Sequence, residues 1–314
     1  MPPSADPRAI EAGTPRIGIV VDRTDWHARE LAKALRALGV APVPMRLEAC
    51  AFDTASPSGL RLDGFGDRLP DAVLVRAIAG GTFESVTMRL GILHALRELG
   101  VMVWNDARAI ERCVDKSMTS FLLARSGIAT PDTWAVQDPA AARTIVAREA
   151  PRGPLVLKPL FGSQGRGLRL IRAPDELPPP GEIAGVYYLQ RFVGVARDGF
   201  HDFRLLVSHG RVIAAMMRHS KEWITNIKRG GRPVTVVANE DTKVLAVRAA
   251  AAVGAHFAGV DIVYDRDGRP SVLEVNSMPA WSGLQKVTPA GIAGILAADL
   301  VAALDARAWR EATA

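Results

Sequence analysis

The stretch Gly259-Val260-Asp261-Ile262-Val263-Tyr264-Asp265-Arg266-Asp267-Gly268-Arg269-Pro270-Ser271-Val272-Leu273-Glu274-Val275-Asn276 decides the fold. Apolar β-formers on either side (Val260, Ile262, Val263; then Val272, Leu273, Val275) flank a polar tip over 265–269, which predicts a hairpin with an Asp-Gly turn. Three residues break the apolar pattern. Asp261 stands inside the first strand and Glu274 and Asn276 inside the second, and a carboxylate in a strand core is costly unless a cation, proton or donor compensates it. Glu274 and Asn276 are two apart and leave the same face, and an antiparallel partner can bring Asp261 onto it. The pattern therefore predicts three oxygen-bearing side chains around one point, a donor set for a hard cation such as Mg²⁺ or Mn²⁺. An ordinary hairpin with acids on its wet face is the other reading of this stretch alone.

The 314 residues suffice for two or three domains with a sizeable core. Two cysteines, Cys50 and Cys113, supply neither a disulfide framework nor metal-ligand spacing, so a reducing compartment is expected. The N-terminus lacks the apolar run of a signal peptide. The longest apolar tract, 292–309, is interrupted by Asp299, Asp305 and Arg307 and reads as an amphipathic helix, not a membrane span. A cytoplasmic protein is expected. A net charge of +6 favours anionic partners, yet aromatics are only 6% and no stacking motif or recognition helix stands out, which counts against nucleic acid.

Residues 1–14 read as a leader. Strands over 16–21, 40–47, 71–76 and 101–105 alternate with helices over 26–38 and 82–99, which predicts an open parallel sheet. The first strand is followed by Asp22-Arg23-Thr24-Asp25 and not by the glycine fingerprint of a dinucleotide fold. One helix is expected over 106–126, with Asp115-Lys116 in its middle and Ile110, Cys113, Val114, Met118, Phe121 and Leu122 as its apolar stripe. A strand then ends at Lys158, a loop carries Gly162-Ser163-Gln164-Gly165-Arg166-Gly167, and another strand begins at Leu168. Such a loop can lay backbone amides against phosphate oxygens. It is not a Walker loop, because no Gly-Lys-Ser/Thr follows and a strand comes next. Further strands carry Gln190-Arg191-Phe192-Val193 and Asp202-Phe203-Arg204. A segment with Arg218, Lys221, Lys228, Arg229 and Arg232 against one acid, Glu222, is read as an anion-facing loop. A helix over 242–257 leads to the hairpin, and a last helix closes the domain.

Taken in order, Lys116 and Lys158, the glycine-rich loop, Gln190-x-Phe192-Val193, Asp202-x-Arg204, Asn226-x-x-Arg229-Gly230-Gly231, Asp261, and Glu274-x-Asn276 with Ser277-x-Pro279 resemble the ATP-grasp superfamily. More closely they resemble its RimK-like α-L-glutamate ligases, over residues 100–285. The resemblance implies an α/β chain, α+β in its C-terminal part, with the ATP-grasp fold. Its divisions would be an N-terminal open parallel-sheet domain over 1–105, a lid subdomain over 106–185, and a C-terminal subdomain over 186–314 carrying the metal hairpin.

The resemblance also implies roles. ATP would be bound with Mg²⁺ or Mn²⁺, as two ions held by Asp261, Glu274 and Asn276. Lys116 and Lys158 would contact the phosphates, and Gly162, Ser163, Gln164, Gly165 and Gly167 would close over them. Gln190, Arg191, Phe192 and Val193 would lie beside the adenine, Asp202 near the ribose, and Ile224, Thr225 and Asn226 along the nucleotide and acyl-phosphate side. Arg204, Asn226, Lys228 and Arg229 are the catalytic candidates, the cations holding acyl-phosphate oxygens. Two positions depart from the family: an acid usually stands at Arg191, and Arg-Ser commonly at Ile224-Thr225.

The activity implied is an ATP-dependent carboxylate–amine ligase that forms an amide through an acyl phosphate. The substrates would be a small-molecule carboxylate and an amino acid, with L-glutamate as the amine. The acceptor would be a peptide, a protein C-terminus or a coenzyme tail of the tetrahydromethanopterin or methanofuran type. No nucleic acid and no membrane are expected as partners, and homo-oligomerisation stays open. A nucleotide- or anion-binding module without ligase turnover is the reading from another class.

Overall fold

The structure is a computed structural model, and residues 13–162, 164–194 and 198–313 are described. Two compact units form, one from residues 1–107 with 291–314 and the other from 108–290.

In the first unit the chain runs β1 (Arg16–Val20), α1 (Trp26–Ala37), β2 (Ala41–Met45), a small hairpin of β3 (Ala51–Phe52) and β4 (Leu60–Arg61), β5 (Ala72–Val75), α2 (Phe83–Glu98) and β6 (Met102–Trp104). Its main sheet has the order β2-β1-β5-β6 with every neighbour parallel. Strands of such a sheet are covered on both faces, which explains the continuous apolar runs: Ile17, Ile19 and Val20, and all of Ala72 to Val75, are buried. Where a glycine fingerprint would stand, Asp25 caps α1 by accepting the Ala28 N–H at 2.8 Å.

The second unit opens on a correction. The single helix expected over 106–126 is two, α3 (Ala107–Val114) and α4 (Lys116–Arg125), because the Asp115 carboxylate caps α4 and accepts from the backbone N–H groups of Ser117 at 2.8 Å and Met118 at 3.1 Å. Half of the expected stripe is also on the outside: Val114, Met118 and Phe121 are exposed. Next come β7 (Thr133–Val136), α5 (Pro139–Glu149), β8 (Leu155–Lys158), β9 (Arg169–Ile171) and β10 (Tyr187–Arg191), an antiparallel sheet ordered β7-β10-β8-β9.

A second antiparallel sheet follows, from β11 (Phe200–Ser208), β12 (Arg211–Ser220), β13 (Arg232–Thr235), β14 (Phe257–Tyr264) and β15 (Pro270–Asn276), ordered β13-β12-β11-β14-β15. Between β13 and β14, α6 (Glu240–Val253) lays Ala246, Ala249, Ala250 and Val253 against Leu205, Val207, Val260, Ile262, Val272 and Val275. Small residues on the helix let it lie close to the sheet, so one sheet face is core and the other is left for the site. The helix expected over 242–257 stops at Val253, where Gly254 takes φ +78° as a left-handed cap and frees Phe257 to begin β14. After α7 (Ser282–Gln285), α8 (Ile292–Thr313) packs against α1, so residues 291–314 group with the first unit and not with 186–290.

Candidate active site

The deciding hairpin forms with Asp261 opposite Glu274 and Gly259 opposite Asn276, and the register shifts just after Asp261. Glu274 and Asn276 share a face as their spacing requires, and Asn276 Nδ2 donates to Glu274 Oε1 at 3.1 Å. The sheet also brings two arginines to Asp261. Arg204 lies opposite it on β11 and forms a fork, Nε to Oδ1 at 2.7 Å and NH2 to Oδ2 at 2.6 Å. Arg218 of β12 reaches Asp261 Oδ2 at 2.9 Å while forming its own fork with Asp202, its partner across β11. Asp202, Arg218 and Asp261 are all buried. Burial opposes ionisation of Asp261, but the two guanidiniums outweigh it and hold the carboxyl well below the usual range.

The two lysines arrive from different elements. Lys158, buried at the end of β8, donates to Gln190 Oε1 at 2.6 Å, and Gln190 Nε2 in turn donates to Thr133 Oγ1 at 3.3 Å and Tyr188 Oη at 3.4 Å. Lys116, the first residue of α4, donates to the carbonyls of Leu160 at 3.3 Å and Gly162 at 2.9 Å, so it holds the root of the glycine loop. Burial depresses both ammonium groups, and the nearby Glu274 carboxylate offsets only part of this.

The loop needs its glycines. Gln164, Gly165 and Gly167 take φ of +65°, +69° and +70°, and a Cβ at Gly165 would fall 2.6 Å from Asn226 Oδ1 and 2.8 Å from Ile224 Cγ2. The backbone of the loop therefore lies directly on the 224–226 segment. Ser163 lies outside the described residues.

Two cavities meet here. The larger, of about 110 Å³, is lined by Gln190, Arg191, Phe192, Val193, Asp202, Thr225 and Asp261, together with Trp223, Val156 and Leu273, which sequence reasoning did not single out. The smaller, of about 60 Å³, is lined by Lys116, Lys158, Gly162, Gln164 and Gly165. Lys158, Asn226 and Glu274 line both, so Glu274 stands where an apolar slot opens into a cationic one. Gly167 lines neither and packs on Pro159.

Several candidates sit differently from their expected roles. The Arg191 guanidinium pairs with Glu149 and donates to the Glu149 and Gly153 carbonyls at 3.0 and 3.2 Å, so the family's departure at this position ties β10 to the end of α5. The Asp202 carboxylate is engaged by Arg218. Lys228 and Arg229 occupy an exposed turn over Ile227–Arg229 and line neither cavity, nor do Arg204 and Asn276. Arg218, read as part of an anion-facing loop, stands buried in β12 instead, and Glu149 was not singled out. Arg218 meets its aspartates through the register of β12, β11 and β14, and Glu149, at the end of α5, meets Arg191 42 residues on through tertiary packing.

The donor set suits a hard cation. Among the described residues no group of three His, Cys, Asp or Glu gathers, so two carboxylates and one amide make up the set. A carboxylate offers about four lone-pair positions, and three N–H groups occupy those of Asp261, leaving one. Glu274 and the Asn276 amide oxygen add to it. The nucleotide also fits, with an apolar slot for a base beside two lysines and a glycine loop for phosphates.

The profile of the RimK-like ATP-grasp domain matches residues 113–300. A tetrahydromethanopterin:alpha-L-glutamate ligase of Methanosarcina acetivorans is 31% identical over 308 residues, 86% of this chain and 93% of that protein. A probable alpha-L-glutamate ligase of Teredinibacter turnerae is 34% identical over 256 residues, 79% of this chain and 82% of that protein. In fold, the chain is similar to the ATP-grasp ligase PsnB solved with a phosphomimetic variant of its minimal precursor, Mg and ADP. The TM-score is 0.72 at 24% identity, over 92% of this chain and 98% of that one.

Proposed function

The chain belongs to the RimK-like ATP-grasp family and is an ATP-grasp ligase, and we propose that it joins L-glutamate through its amine to the carboxylate end of a coenzyme tail of the tetrahydromethanopterin type. The observation that carries this is the meeting of Lys116, Lys158 and the glycine loop with Glu274 at one junction. It supports phosphoryl transfer to a carboxylate there, and the names of the relatives above support the amine and the acceptor.

In this reading Gln190, Phe192 and Val193 line the base, and Lys116 and Lys158 bind the phosphates under the 162–167 loop, which excludes water. Asp261, Glu274 and Asn276 would hold Mg²⁺ or Mn²⁺ as two ions, which when bound would neutralise charge on the transferring phosphoryl. The acceptor carboxylate takes the γ-phosphoryl group of ATP with ADP leaving, the deprotonated glutamate amine attacks the acyl carbon, and phosphate leaves as the amide forms, the amine's remaining extra proton passing to solvent. The chain needs no nucleophile of its own, since positioning and electrostatics suffice. Its substrates are then small molecules, and no helix among the described residues is long and apolar enough to cross a membrane. We place it in the cytoplasm. The test is phosphate release from ATP with L-glutamate and candidate acceptors, followed by mass measurement of the product. A gain of one glutamyl residue that requires both substrates is expected, and ATP binding without turnover over the whole panel would overturn the proposal.

A further inference from the structure

Four buried or nearly buried charges lie in a row across three strands: Arg218 of β12, Asp202 and Arg204 of β11, and Asp261 of β14. Without a metal ion, Asp261 would be a buried anion, and such a charge is tolerated only when paired. Arg204 and Arg218 pair it. A divalent cation arriving at Glu274 and Asn276 changes the balance, because two guanidiniums and a metal would then share one carboxylate.

One lone-pair position of Asp261 is left for the cation, and of the two guanidiniums crowding it the structure says which is free to yield. Arg218 is 4% exposed and has a counter-ion of its own in Asp202, so removing it from Asp261 gains nothing. Arg204 is 14% exposed, and its only side-chain bonds among the described residues are the two to Asp261.

We infer that Arg204 is a placeholder for the metal on Asp261, released when the cation binds and then free to hold the phosphoryl group that arrives with it. The inference rests on Asp261 being a metal ligand, as proposed above. It makes Arg204 a group whose charge is spent on the protein in the empty site and on the reacting phosphate in the loaded one. Arg218, pinned by Asp202, keeps the Asp261 carboxylate aimed in both states and is a positioning residue.

The consequence is an inverse effect, tighter metal binding together with lower turnover. Mn²⁺ is titrated into the full-length protein with saturating ADP, and free Mn²⁺ is followed by electron paramagnetic resonance. Arg204→Met should bind Mn²⁺ at least about tenfold more tightly than wild type, because a competing unit charge a few ångströms away is gone. Its ATP turnover should fall over the same comparison. Arg204→Lys, which keeps the charge and loses the fork, should lie between the two and serves if the Met variant does not fold. Unchanged or weaker Mn²⁺ binding in Arg204→Met overturns the exchange. Asp261→Asn separates the premises: it should weaken Mn²⁺ binding, and if it does not, the metal assignment itself falls.

Discussion

Lys158 Nζ donates to Gln190 Oε1 at 2.6 Å, a single charged hydrogen bond between β8 and β10 that holds a buried ammonium at the junction of the two cavities. Lys158→Ala should weaken ATP binding about 10- to 100-fold, the loss expected for one charged hydrogen bond to phosphate. Gln190→Leu should weaken it less, because the ammonium remains. Equal affinities for wild type and Lys158→Ala in calorimetry would remove Lys158 from the phosphate site.

The same lysine sets a pH dependence. Burial is the largest influence and lowers its pKa below the ordinary lysine value of 10.5, so the ammonium is less favoured in the empty site than in water. Bound phosphate favours the ammonium, and ATP binding then takes up a proton once pH reaches the depressed pKa. Affinity should fall as pH rises through that pKa, beginning below 10.5, and Lys158→Arg should flatten the fall. A wild-type Kd that stays level up to pH 10.5 would contradict this.

Glu274 lines both cavities and lies opposite Asp261. Glu274→Gln keeps the shape and deletes a charge, so turnover should drop on the order of 10²-fold or more with the melting temperature nearly unchanged. A folded Glu274→Gln protein with near-normal activity would remove Glu274 from the metal set.

Much of this was legible because the signals are local. The hairpin was written in the alternation around Asp261 and Glu274, and the glycine loop in a lysine at a strand end followed by glycines. Arg218 looked like one more member of a basic run, and only the β11–β12 register shows that it is buried between two aspartates. Arg191 reads as a departure from the family, and its meaning waits for Glu149, 42 residues away. The break at Asp115 was hidden because the apolar period continues across it. The place of α8 was hidden too, since a helix's own sequence does not say which unit its apolar face will cover.

Cys113 packs on the core of the second unit, with its thiol against Ser277. Burial raises its pKa to about 12, and the Ser277 contacts offset only part of this. The folded state thus prefers the neutral thiol. This contribution to stability is complete below the ordinary value of 9.0 and is lost as pH rises from there toward 12. At pH 8 the folded protein should leave Cys113 unmodified by a thiol-specific disulfide reagent on the timescale that modifies it in denaturant. Prompt modification of Cys113 in the native protein would contradict the raised pKa.

Lys228 and Arg229 stand on an exposed turn pinned by Ile227, whose Cδ1 would lie 2.4 Å from a Cβ at Gly283. Charges held in water and outside both cavities suit docking of an acidic acceptor better than stabilising a buried acyl phosphate. Arg229→Ala should therefore raise the acceptor KM severalfold and leave kcat nearly unchanged. A lower kcat at saturating acceptor would return Arg229 to the chemistry.

Gly165 offers the sharpest test of the lid. Its φ of +69° strains any L side chain, and a Cβ would fall 2.6 Å from Asn226 Oδ1 and 2.8 Å from Ile224 Cγ2, closer than real Cβ contacts come. The Ile224 contact belongs to a position where the family commonly has arginine, so the loop here closes partly on an apolar side chain. Gly165→Ala should hold the loop off the 224–226 segment and raise the ATP KM, with little change in global stability because the loop carries few core contacts. Hydrogen exchange over 162–167 should be slowed by ATP and Mg²⁺ in wild type and much less in the variant. In the double variant Gly165→Ala with Ile224→Ala, the Cγ2 clash is removed while the Asn226 clash remains, so ATP KM should recover part of the way. No recovery at all would mean that Ile224 is not what the loop closes on.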